Sequence, residues 1–281
     1  MEKIEEKEKN NQKIKKRIWE IDFLRGLAII LMVLDHFTYD FASFYSFFSN
    51  SNSNSITPNP AFASFINFCQ SFQVSSVRQV LHYIFANLFF LLVGVSSCFS
   101  KNNWKRGFLV LLCGLVMDGA TFLAYYVTNG TADFRMLFNV LVSLGCCILI
   151  TALILKLPYE KWILLILAII VIGLGIGFNL YNPRWISNLE FKDVFLISVG
   201  LKAWGSDCFS IVPYIGATFL GAFLGKTIYK EKKSILPRLD SFWNKPVCFV
   251  GRHTIFVYLG HQVVLIAILL IVGLCFGYRV F

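Results

Sequence analysis

Charge is what this 281-residue chain has least of. Asp, Glu, Lys and Arg together make 15% of its residues, against 57% that are hydrophobic. Soluble domains average about 25% charged and about 45–50% apolar residues, so too little polar surface is present to cover a water-facing globule of this size. That excludes a soluble catalytic domain. Zinc-type signatures are missing too. The eight cysteines form no CxxC pair, and Cys98, Cys113, Cys146, Cys147 and Cys275 lie inside apolar runs, where they read as small packing residues. His36 has no second histidine at zinc spacing, so no metal is expected. No internal repeat is visible.

What the chain does have is long apolar runs, with a mean hydropathy of +0.65. At about 20 residues per crossing they predict an all-α, polytopic bundle of about seven transmembrane helices, or eight or more if shorter segments insert. The spans fall near residues 22–47, 80–99, 107–127, 136–157, 161–180, 211–229 and 247–277. The last exceeds what a bilayer about 30 Å thick requires and must tilt, kink or project. Between spans, Ser49–Pro60 is rich in helix-breaking Ser, Asn and Pro. Residues 61–75 are Phe-rich but short, suiting an interfacial or re-entrant piece. Residues 185–207 mix apolar and charged positions like a surface-lying segment or half-helix. Residues 1–17 carry many charges and no apolar run, which suits a disordered tail rather than a cleavable signal peptide, and leaves 18–281 as one transmembrane domain.

The net charge of +10 is positional. With the N-terminus inside, the tail and inner loops hold about 18 Lys and Arg and the outer loops roughly 6, the asymmetry of a multi-pass protein whose N-terminus is cytoplasmic. Read by position, the charge gives no reason to expect nucleic acid as a partner; the apolar spans make membrane lipid the surroundings.

The few ionisable residues inside the spans are expensive if they face lipid. The helical advance per residue puts Arg25, His36, Tyr39 and Asp40 of the first span on one face with Asp22. Asp35 falls well off that face, turned toward a different interhelical contact or a water-filled pocket. Asp22 and Arg25 read either as an intrahelical ion pair at headgroup level or as a phosphate-binding pair, since Arg offers a permanently charged planar fork. His36 with Asp40 one turn on suits general-base work, the carboxylate orienting the imidazole, or a structural role. His82 is a partner base or an interfacial anchor. Asp118 is a lone carboxylate needing a partner or a proton. Asp207 and Ser210 stand at the entrance of span six, whose Gly216, Gly221 and Gly225 read as helix packing. In span seven, Arg252 either takes phosphate or snorkels, His253 lies beside it, and His261 and Gln262 come about 12 Å deeper.

The runs RIWEIDFLRGLAIILMVLDHFTYDF, FFLLVGVSS, FSIVPYIGATFLGAFLG and GRHTIFVYLGHQ, spread in order from about Arg17 to Leu265, resemble the bacterial membrane family related to the catalytic region of heparan-α-glucosaminide N-acetyltransferase. The resemblance implies a transmembrane acyltransferase in the cytoplasmic membrane. Such an enzyme moves an acetyl or other acyl group from cytoplasmic acyl-CoA, the donor substrate, to an acceptor such as a sugar on the other side. Asp22, Arg25 and His36 match its opening motif, and Arg252, His253, His261 and Gln262 its closing one. Joined to the reading of the spans, this makes His36, as base or as acyl-accepting nucleophile, with Asp40 and His82 the catalytic candidates, and Asp207 one of those shaping the acceptor site. Where the family carries a histidine in a block of the form FNVLHxLG, this chain has Phe138 to Gly145 with Val142 at that position. A catalytically inactive scaffold is therefore one alternative, and a transporter or channel using the polar stripe of span one is another.

Overall fold

The computed structural model describes residues 18–44, 48–50, 59–130 and 133–280. The expected tail at 1–17 and most of the Ser/Asn-rich stretch lie outside them. Among the described residues there are ten α-helices: α1 Trp19–Phe44, α2 Pro60–Gln73, α3 Ser76–Ser97, α4 Asn103–Val127, α5 Val140–Ile154, α6 Glu160–Gly177, α7 Phe191–Ser198, α8 Ile211–Thr227, α9 Lys245–Arg252 and α10 Thr254–Cys275. The chain divides into two compact units, one drawn from Met1–Phe85 and Lys232–Phe281, the other from Ala86–Glu231.

In the first unit, α1 packs with α2, α9 and α10. Helix α2 starts cleanly because Pro60 needs no amide partner in the first turn and the Asn59 side chain accepts the Ala61 N–H at 3.0 Å. Its Phe62, Ile66 and Cys69, spaced for one face, bury against Phe41 and Leu269. The short Phe-rich segment is thus a helix seated on α1. The run 247–277 is not one long helix: at His253 the backbone leaves the helical region (φ −113°, ψ 23°), ending α9 and starting α10.

Helices α1 and α9 meet backbone to backbone. A β-carbon on Gly251 would run into the Asp22 carbonyl, and one on Gly26 into the Val247 carbonyl. Only glycine permits that approach, and it seats the next residue, Arg252, beside Asp22. A short antiparallel ladder pairs β1 Phe48–Asn50 with β4 Tyr278–Val280.

In the second unit, α8 packs closely on the rest of α3. Gly94 faces the Thr218 carbonyl, Gly221 the Leu91 carbonyl and Gly225 the Cys98 side chain, so the glycine ladder is helix packing. The segment 185–207, expected as a surface-lying piece or half-helix, contains the eight-residue α7 between two parallel two-residue strands, β2 Arg184–Trp185 and β3 Lys202–Ala203. Bridges from Met136 to Gly205 and from Phe138 to Cys208 tie it to the chain entering α5. These pairings satisfy backbone groups that a lone helix leaves open.

Helices α3, α4, α6 and α10 are long and apolar enough to cross a membrane, and α5 and α8 are shorter apolar helices. Their outward faces are apolar as well: Leu112, Val116 and Leu123 of α4 are more than half exposed, a surface stable only in lipid. The protein is a multi-pass, all-α membrane protein.

Candidate functional site

The polar face of α1 is occupied along its length by side chains of the same compact unit. Near the start of α1, buried Asp22 accepts a hydrogen bond from Arg252 Nε at 3.1 Å, with Arg25 Nη1 3.7 Å from its other oxygen. The Asp22–Arg25 ion pair expected from spacing is therefore part of a three-residue group. Arg252, expected to snorkel or to take phosphate, has Asp22 as its partner while 41% of its side chain stays exposed.

Two histidines meet further along. The His36 and His261 rings lie edge to face at 87°, with centroids 4.9 Å apart. His36 Nδ1 is 3.0 Å from the Met32 carbonyl one turn back, and His261 Nδ1 contacts the Tyr258 carbonyl. A carbonyl oxygen only accepts, so in each neutral ring the proton sits on Nδ1 and the lone pair on Nε2. His261 Nε2 is buried without a hydrogen-bond partner among the described residues.

Asp40, 1% exposed, corrects one expectation. It does not orient His36. Gln262 Nε2 donates to both Asp40 oxygens, at 3.1 and 3.0 Å, while His36 turns to the backbone. An imidazole one turn below a carboxylate also has its own i−4 carbonyl within reach, and here the carbonyl takes the proton.

Asp35 points elsewhere, as its angular position implied. Arg78 grips it through Nε and Nη2, both at 2.8 Å, and His82 Nδ1 stands 3.7 Å from Oδ2. His82 is thus a neighbour of the Asp35–Arg78 pair. Sequence reasoning misses Arg78 by counting it as a loop charge. The signal lies in its spacing, since Arg78 and His82 are four apart and share a face of α3. His253 is exposed, with Nδ1 2.9 Å from the Phe249 carbonyl and its ring 4.5 Å from that of Phe249.

The second unit has its own buried polar group. Asn139, fully buried, caps α5 with its carbonyl oxygen and donates from Nδ2 to Asp118 Oδ1 at 2.6 Å and to the Gly114 carbonyl at 2.8 Å. Val142 is buried next to it, against Gly114. Asp207 lies in this unit, not in the one that holds His36 and His82. Next to it, burial pushes the Cys208 thiol up to about 11, and in α9 burial also raises that of Cys248. Both shifts run against thiolate formation.

Apolar helices with lipid-ready surfaces, and in the first unit a row of paired ionisable side chains along α1, define a multi-pass membrane protein that carries polar groups within its apolar helices. A family profile described as "Heparan-alpha-glucosaminide N-acetyltransferase, catalytic" matches residues 17–68 and 61–263. The chain belongs to that family of acetyltransferase-like membrane proteins. No curated protein and no solved structure gives a significant match.

Proposed function

We propose that the protein is a membrane acyltransferase that takes an acyl group, acetyl in the simplest case, from cytoplasmic acyl-CoA and delivers it to a sugar-like hydroxyl or amine arriving from the opposite side. The observation that carries this reading is the His36–His261 pair, in which both Nδ1 protons are committed to backbone carbonyls and both Nε2 lone pairs are left to act as bases. Residues placed inside apolar helices at such cost support a functional role.

In the proposed step His36 Nε2 takes the proton of the acceptor hydroxyl or amine. The acceptor's freed lone pair forms a bond to the thioester carbonyl carbon, the carbon–sulfur bond breaks, and the departing CoA thiolate recovers the proton. His261, whose buried Nε2 is also unprotonated, shares that proton or positions His36. Asp40, held by Gln262, places negative charge on the same helix face and favours the imidazolium as it forms. Arg25 and Arg252 lie on the α1 end that carries Asp22, with Arg252 partly exposed, and are assigned to the CoA phosphates. With the N-terminus cytoplasmic, that end faces the donor pool of an inner membrane.

Purified protein supplied with radiolabelled acetyl-CoA and a panel of sugars tests the reading, with His36→Ala as the comparison. Acyl-CoA binding with loss of turnover in the variant supports it. Absence of acyl-CoA binding by calorimetry removes the enzyme from consideration. A non-catalytic reading is favoured by one observation: buried Val142 packs against Gly114 where the resemblance implies a histidine. It predicts acyl-CoA binding without turnover for any acceptor.

A further inference from the structure

One surface of the first unit is not used by that chemistry. The strap joining residue 232 to α9, with the first turn of α9, holds four basic residues, Lys232, Lys233, Arg238 and Lys245, and a single acid, Asp240. All four cations are exposed. Beside them stand large apolar side chains that are equally exposed: Leu239 (51%), Phe242 (79%), Trp243 (57%) and Phe249 (63%). Cations interleaved with Trp and Phe form the pattern of a segment seated at the boundary between acyl chains and headgroups.

The strap is not a loose polybasic stretch. Glu20 of α1 accepts hydrogen bonds from Ser234 Oγ at 2.6 Å and from the Leu236 N–H at 2.7 Å, and Trp19 Nε1 donates to the Leu236 carbonyl at 3.2 Å. The Trp243 ring packs edge-on against Trp19 and Phe23, with centroids 6.2 and 5.3 Å away, and its Nε1 donates to the Leu239 carbonyl at 3.1 Å. Lys245 Nζ lies 5.2 Å from the centroid of the Phe242 ring. Buried Asn244 donates to Asp240 Oδ1 at 3.3 Å, drawing the one acid back into the strap's own bonding. A fixed array of this kind loses little freedom when anions settle on it.

We propose that this strap is a binding surface for anionic lipid headgroups, clipped to the start of α1 through Glu20. Charge complementarity selects the occupant. An acidic headgroup layer is attracted to the exposed cations while the acyl region receives Phe242, Trp243 and Phe249, whereas an aqueous phosphate engages only the former. Residues 1–17 hold seven basic residues against four acids, so by sequence their net charge has the same sign as the strap's. The proposal is independent of the acyl-transfer reading.

The test uses the whole protein in nanodiscs of phosphatidylcholine containing a minority of phosphatidylglycerol, with retained lipids counted by native mass spectrometry after extraction. Wild type is expected to retain phosphatidylglycerol over phosphatidylcholine, and the Lys232→Gln, Lys233→Gln, Arg238→Gln, Lys245→Gln variant to lose about tenfold or more of that preference. Raising salt from about 50 to about 500 mM should erode the wild-type preference, as screening requires. Circular dichroism verifies that the variant is folded, and a second variant, Phe242→Ser with Trp243→Ser, should weaken retention without changing charge. Equal preference in wild type and the charge variant overturns the proposal. So does full competition by soluble glycerol phosphate, which would assign the cations to a free phosphate.

Discussion

Gln262 on α10 holds both oxygens of the Asp40 carboxylate on α1, an amide and not a cation facing a buried acid. The contact locks the two helices that also carry His36 and His261. Replacing Gln262 with Ala leaves the carboxylate without its donor, a loss of about 1–3 kcal/mol. Replacing it with Glu sets two acids against each other and should cost more. Thermal unfolding in detergent should rank wild type above Gln262→Ala above Gln262→Glu, with Asp40→Asn partly rescuing the last. An unchanged melting temperature in Gln262→Glu would remove this contact from the packing of α1 and α10.

Gly251 is the tightest point between α1 and α9. An added β-carbon meets the Asp22 carbonyl, which cannot swing aside as a flexible side chain can. Gly251→Ala should push the helices apart, part Arg252 from Asp22, and destabilise the protein by about 1–3 kcal/mol. Gly260, where an added β-carbon meets nothing within 4 Å, is the control. Gly260→Ala should be neutral or slightly stabilising in the same melt.

The Asp35–Arg78 pair joins α1 to α3 through two charge-assisted bonds. Arg78→Ala strands the carboxylate beside His82, while the double variant Asp35→Asn, Arg78→Ala removes the charge as well. A double-mutant cycle should give a coupling of about 1–3 kcal/mol. Strict additivity of the two single changes would show that the pair contributes nothing.

Asp193 in α7 sets a pH dependence in the second unit. Its bond from Lys202 Nζ at 2.6 Å, aided by the Glu190 N–H, holds its carboxyl below the usual range. A depressed acid contributes stability above its unfolded value, about 3.9, and loses it as pH falls through the folded one. The melting temperature should drop below about pH 4, and Asp193→Asn should flatten part of that drop. An identical acid profile in the variant would contradict the assignment.

Much of the polar site was legible from α1 alone. The regular helical rotation from one residue to the next separates Asp35 from the face of His36 and Asp40, and the structure gives Asp35 a different partner from Asp40. The partners themselves were less legible, because they come from residues up to 230 positions away, as Arg252 does for Asp22. That His36 bonds the Met32 carbonyl while Asp40 bonds Gln262 is hidden for a local reason: an imidazole in a helix has its own i−4 carbonyl within reach, and hydropathy pattern says nothing of which acceptor wins. The excess length of the run 247–277 called for a tilt, kink or projection, but the place of the break, His253, was hidden, since no Pro marks it and the run stays apolar on its far side. The long apolar helices, by contrast, follow from composition alone, because each needs only lipid around it.

Whether the His36–His261 pair serves acyl transfer is tested most directly by single-turnover transfer from radiolabelled acetyl-CoA in wild type, His36→Ala and His261→Ala, with acetyl-CoA affinity measured in parallel. Expected are transfer in wild type, a fall of about 10²–10⁴-fold in His36→Ala, a smaller fall in His261→Ala, and affinities within about twofold, since neither ring is assigned to the donor phosphates. Wild-type turnover in His36→Ala would contradict that role.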